Sequence, residues 1–248
     1  MIQLIIKDLP KHLPLLTPYT ELRSQVNQSL SIVYTKGHLI QNIKNSVGGI
    51  SARVYRKGSW GFASSPNRAD VQSILKAAAD NAIFLDNREN KGLAPFTPAS
   101  PRAEYNFGTT KPRLSQREIM AFTKEVDDHI QQKYPDLSSR TIRLNSLAIE
   151  KTLITSDGAS LYSLWPRTIF SISLSMTKDG ETVDIYNSVG NRGHFEDIFS
   201  TPQDLYPFIE ELYEHLKHKS EGVYARAGTH DCILDADLAG ILAHEAIG

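Results

Sequence analysis

At 248 residues, with 40% apolar and 22% charged side chains, the chain has the make-up of a globular protein of one large or two small domains with a real core. A net charge of -1 leaves no electrostatic footprint for nucleic acid or an anionic membrane. The single cysteine, Cys232, excludes an intrachain disulfide, and no apolar run approaches membrane-spanning length, so a cytoplasmic protein is expected.

The opening run Met1–Ile6 is too short for a signal-peptide core before Lys7 and Asp8 interrupt it. Gln28 to Ser65 reads as a ladder of antiparallel strands, broken by expected turns at Lys36-Gly37, Gly48-Gly49 and Lys57-Gly58. Ser65-Pro66 reads as an N-cap with proline at the first helical position. The helix that follows runs to about Leu85 on an inner stripe of Val71, Ile74, Leu75, Ala78, Ala82 and Leu85. Asn87 to Arg113 holds Pro95, Pro98, Pro101 and Pro112 and reads as an extended surface connection. Ser115 and Glu118 form a capping box for a second helix with the stripe Ile119, Phe122, Val126 and Ile130, ended by Pro135.

The second half opens with strands at Ser139–Thr155, Leu161–Thr177 and Glu181–Val189, joined by Asp157-Gly158 and Asp179-Gly180 turns. Thr201-Pro202 starts a helical segment carrying Phe208, Ile209, Leu212 and Leu216, with a restart or kink at Pro207. Asp231–Asp235 reads as a short strand, and Asp235 or Asp237 caps a terminal helix. The expected class is α+β: mainly antiparallel sheets with packed helices, in two α/β subdomains, residues 1–136 and residues 137–248.

The terminal helix, Leu238–Gly248, carries the main candidate site. Leu238, Ile241 and Leu242 share one face, with Glu245 in its middle, and the helix reads as buried all round. Its two ionisable neighbours, His244 and Glu245, then need a charge, a hydrogen bond or a metal. A helical His-Glu pair is the first half of a metal-hydrolase motif, the imidazole binding the metal and the carboxylate taking a proton from water. The usual spacing needs a second histidine at 248, where this chain has Gly248. A buried pair satisfied by local hydrogen bonds is the competing explanation.

The remaining candidates read as structural. His215 and His218 lie three apart among Lys217 and Lys219 near a helix end, a solvated arrangement that complements the helix dipole. His194 and His230 read as polar edge residues, and Cys232 as a small core hydrophobe within Cys232-Ile233-Leu234. Trp60-Gly61-Phe62 reads as packing beneath the hairpins rather than as a binding platform. No Gly-x-Ser-x-Gly elbow and no phosphate-cradling glycine loop occurs.

Several segments together resemble the TldD/PmbA family, once described as modulators of DNA gyrase. They are Gly48–Val54 with Gly58–Ser65, the Ala-rich Lys76–Ala82, Thr155–Gly158 with Trp165-Pro166-Arg167, and Cys232–Asp235 with Leu238–Gly248. In the family the last block reads His-Glu-x-x-x-His, a motif absent from the PmbA (TldE) branch, so the resemblance is to TldD. It implies a zinc-dependent peptidase acting on unfolded or extended peptides. It also implies a dimer, with a PmbA/TldE-like paralogue or with a second copy, and no nucleic-acid partner. By position, His244 resembles the first metal ligand and Glu245 the general base. The second histidine would be residue 249, and the family's third ligand, a distant cysteine, is not matched by Cys232. The family's C-terminal domain is absent from these 248 residues, which alone are expected to be inactive. Residues five apart on a regular helix point about 140° from one another, so a shared metal requires the helix to bend or end between them, which Gly248 allows.

Overall fold

The computed structural model describes residues 19–56, 58–67, 69–86 and 99–248. The reading of Met1–Asp8 and the first part of the Asn87–Arg113 connection lie outside these residues. Among the described residues seven strands form one sheet: β1 (Tyr19–Thr35), β2 (His38–Arg56), β3 (Ser59–Ser65), β4 (Arg102–Asn106), β5 (Ser139–Thr155), β6 (Ser160–Lys178) and β7 (Glu181–Arg192). Their order is β3-β2-β1-β5-β6-β4, with β7 also pairing β6. Every pairing is antiparallel except β4 with β6, which bears out the α+β class.

The hairpin turns follow from local chemistry. Lys36 and Gly37 join β1 to β2, and Asp179 and Gly180 join β6 to β7, all four with positive φ, the geometry that suits the twist of the flanking strands. Gly48-Gly49 does the opposite of what its composition suggests. It lies inside β2, paired with Val26 and Gln25. A Cβ at Gly48 would stand 2.6 Å from the Gln25 carbonyl oxygen, and one at Gly49 2.6 Å from that of Ser65. These glycines permit close strand approach rather than a reversal.

Among the described residues the helices are α1 (Val71–Asp86), α2 (Gln116–Lys133), the single turn α3 (Phe195–Ile198), α4 (Tyr206–Ser220) and α5 (Ala236–Ile247). α1 begins later than Ser65-Pro66 suggested. Ser65 closes β3, and its hydroxyl accepts from the Asn67 N–H and donates to Asp70, spending its capping capacity on the preceding turn. α2 is as expected: Ser115 and Glu118 form both bonds of the capping box, and Ile119, Phe122, Val126 and Ile130 are buried. A 3-10 turn at Pro202–Leu205 precedes α4, which restarts with Pro207 in its first turn. β4 falls within the expected surface connection, where it pairs with β6 at Ser160–Leu164.

Two apolar clusters hold the fold. The larger joins α2 and α4 to Ile32, Ile142, Leu144, Phe170, Ile172 and Leu174; the smaller joins α1 to Leu22, Ile50, Ala52, Val54 and Ile154. All of these strand residues are even-numbered, as the two-residue strand period requires of a single face. The odd-numbered side chains of β1, β5 and β6 therefore point to the opposite face, away from both clusters. Gly61 brings β3 against α1: a Cβ there would meet the Ala78 carbonyl oxygen at 1.9 Å. Its neighbours Trp60 and Phe62 consequently face outward and are exposed, which corrects the expectation that they pack beneath the hairpins. Trp60 stacks instead among Tyr19, Tyr55 and the Arg53 guanidinium, which lies 4.1 Å from its ring centroid. Among the described residues no helix is long and apolar enough to cross a membrane.

Candidate functional site

His244 and Glu245 sit in the last turns of α5. Asp235 caps this helix, its carboxylate accepting from the Leu238 N–H at 2.8 Å. At the other end Gly248 has φ +127 and donates its N–H to the His244 carbonyl at 3.1 Å. The cap and the helix were both legible in the sequence; the surroundings were not. Every residue from 221 to 248 is exposed, including Leu238 at 49% and Ile247 at 87%. The expectation of a helix buried all round is overturned for these 248 residues, because no described element packs against its apolar face. The expected strand at Asp231–Asp235 is irregular backbone, with no strand among the described residues paired to it. Cys232 is an exposed free thiol rather than a core residue.

Zinc at a catalytic site takes three protein ligands. Among the described residues no three His, Cys, Asp or Glu side chains converge in a way that could hold a metal. His244 offers one imidazole, and Glu245, next to it, projects about 100° away around the helix. The residues present therefore do not by themselves fit a zinc ion.

A second polar cluster was missed in the sequence. His194 is not the polar edge residue the sequence suggests: it is only 6% exposed, and Glu196 only 7%. One Glu196 carboxylate oxygen accepts from Arg113 Nε at 3.0 Å and from the Leu114 N–H at 2.7 Å; the other is buried with no hydrogen-bond partner among the described residues. Arg113 Nη1 lies 3.4 Å from His194 Nε2, and Lys111 donates to the Glu196 carbonyl at 2.8 Å. Thr109 donates to Asp197 at 2.7 Å, and Asp197 also accepts the His194 N–H at 3.0 Å. Burial, and then the Arg113 charge, push the His194 pKa below its ordinary value, so the ring stays neutral beside the guanidinium. Chemically this is a clamp: it fastens the chain before α2 to the turn after β7 through both side-chain and backbone hydrogen bonds. The signal was present as a His-x-Glu triplet, but its partners lie about eighty residues upstream. His215 and His218 are exposed on α4, in keeping with their solvated reading.

Residues 20–84 match the family described as PmbA/TldA metallopeptidase domain 1, and residues 111–219 match its central domain. Neither segment includes α5. A metalloprotease of Methanothermobacter thermautotrophicus is 23% identical over 237 residues, covering 93% of this chain and 49% of that protein. A zinc metalloprotease TldD homolog of Saccharolobus solfataricus is 22% identical over 203 residues, covering 81% and 43%. The chain thus spans about half the length of the curated relatives it matches. A protein described as a modulator of DNA gyrase from Bacteroides thetaiotaomicron shares the fold with TM-score 0.63 and 15% identity, over 88% of this chain and 49% of its own. TldE of Thermococcus kodakarensis does so with TM-score 0.58 and 11% identity, over 86% and 47%.

Proposed function

The chain belongs to the PmbA/TldD metallopeptidase family, and on that premise we propose that it works as part of a TldD-type metal-dependent peptidase hydrolysing unfolded or extended peptides. The observation that carries this reading is the order of parts: domain 1, then the central domain, then a capped helix ending in His244, Glu245 and Gly248. His244 would supply one ligand of a zinc site, the metal for which the Saccharolobus relative is named. Glu245 is the proton acceptor. The other ligands come from outside these residues, and the apolar face of α5 is then covered by what supplies them. The working form is a cytoplasmic dimer, with a PmbA/TldE-like paralogue or with itself.

The test is metal content and peptidase turnover of a form extended past Gly248, with and without Glu245→Gln. Loss of an acid–base group lowers turnover by about a hundredfold or more, with metal content unchanged. Equal turnover of the two forms removes Glu245 as the base. The alternative, a non-catalytic peptide-binding or dimerisation module, is favoured by one observation: the described residues hold no metal-binding cluster. An extended form without metal or turnover would establish that alternative.

A further inference from the structure

On the sheet face opposite the helices, β6 meets two neighbours in turn. β4 pairs with it as far as Leu164, and β7 takes over at Arg167. At this junction lies a cavity of about 450 Å³, lined by Ile149, Trp165, Arg167, Ile169, Asn191 and Arg192 together with Gly190. Gly190 forms its floor because strand backbones pass so closely there that a Cβ would come 2.2 Å from the Thr168 carbonyl oxygen.

Arg167 and Arg192 are directly opposed on β6 and β7. Like charges in that relation destabilise a sheet, yet no carboxylate lies within ion-pair distance of either among the described residues. Arg192 is held in place by stacking: its guanidinium is 4.0 Å from the Phe107 ring centroid and 5.4 Å from that of Trp165, two rings 4.6 Å apart. Asn191 accepts the Arg192 N–H through Oδ1 at 2.7 Å, and its pairing with Thr168 turns its side chain toward the opposite face, so only its backbone borders the groove.

We propose that this groove docks the C-terminal residue of an extended peptide. The free carboxylate pairs with Arg167 and Arg192, where a guanidinium gives bidentate, charge-assisted bonds. An apolar last side chain lies on Ile149, Ile169 and Trp165. A simple acyl carboxylate offers the arginines the same headgroup, and octanoate is the arm that separates it from a peptide. The site is independent of the chemistry proposed at His244 and Glu245, because binding alone is read.

The chain has two tryptophans, so Trp60→Phe leaves Trp165 as the sole fluorescent reporter within the groove. The 248-residue Trp60→Phe protein is titrated with acetyl-Ala-Ala-Leu as the free acid, its C-terminal amide, and octanoate. The free acid is expected to give a saturable change, with the amide about tenfold or more weaker. Arg167→Gln and Arg192→Gln each weaken the acid at least about tenfold. Arg167→Glu, which turns the repulsion into an ion pair, abolishes acid binding while raising or keeping the melting temperature. Equal binding of acid and amide, octanoate outcompeting the peptide, no saturable change, or indifference to the arginine substitutions overturns the proposal.

Discussion

Asp127→Ala tests how the larger cluster is pinned to the β1–β2 turn. Asp127 on α2 is fully buried, and the Arg140 side chain is 12% exposed. The two meet at 2.8 Å through Nε and 3.3 Å through Nη2, and Arg140 also donates to Gln131 at 3.0 Å. Arg140 is tied in turn to the hairpin, its carbonyl accepting the Lys36 N–H at 3.0 Å. Removing the carboxylate leaves a guanidinium that water barely reaches, with a neutral amide as its remaining side-chain partner. Breaking one half of such a pair costs about 3–5 kcal/mol. With a urea dependence of roughly 2–3 kcal/mol per molar, the unfolding midpoint falls by roughly 1–2.5 M. Buried pairs are weakly screened, so the loss persists at about 1 M salt. Replacing both partners, Asp127→Leu with Arg140→Met, recovers most of the stability because no unpaired charge remains. The assay is urea unfolding of the wild type, each single variant and the double. A loss under about 1 kcal/mol for Asp127→Ala, or a double variant equal to the sum of the singles, refutes the reasoning.

Burial, followed by a neighbouring cation, depresses the pKa of His129 and of His194 below the ordinary 6.5. The unfolded chain therefore takes up protons first, and the stability these groups contribute, complete above pH 6.5, is lost as pH falls below it. His194→Gln should flatten the fall in unfolding free energy between about pH 7 and 5, and an unchanged slope would show that the clamp does not report pH. Gly61→Ala, which drives a methyl into the α1 backbone, should cost about 3 kcal/mol, the upper end of overpacking penalties. Gly240→Ala, with open space around its Cβ, should change global stability by less than about 0.5 kcal/mol. Leu242→Asp, on the exposed face of α5, should likewise shift the chemical-unfolding free energy by less than about 0.5 kcal/mol; a larger loss would mean that α5 is packed in solution.

Features whose cause lies within a few residues could be read from the sequence. The Ser115–Glu118 capping box, the Lys36-Gly37 and Asp179-Gly180 turns, the buried stripe of α2 and the Asp235 cap of α5 all depend on chemistry inside one helical turn or one reversal. The His244–Glu245 pair was visible for the same reason. Features that depend on what stands across the sheet or helix were decided by the tertiary structure. Gly48-Gly49 has the composition of a turn, but pairing with β1 keeps it extended, and neighbouring backbone passes so closely that a Cβ at either position would stand 2.6 Å from a carbonyl oxygen. Trp60 and Phe62 could have faced either way until Gly61 was seen against α1. His194 had no visible partner because Arg113 is distant along the chain and adjacent only after β6 and β7 pair. The exposure of α5 could not be read from an apolar helix, because periodicity records which side chains avoid water and says nothing of which neighbour shields them.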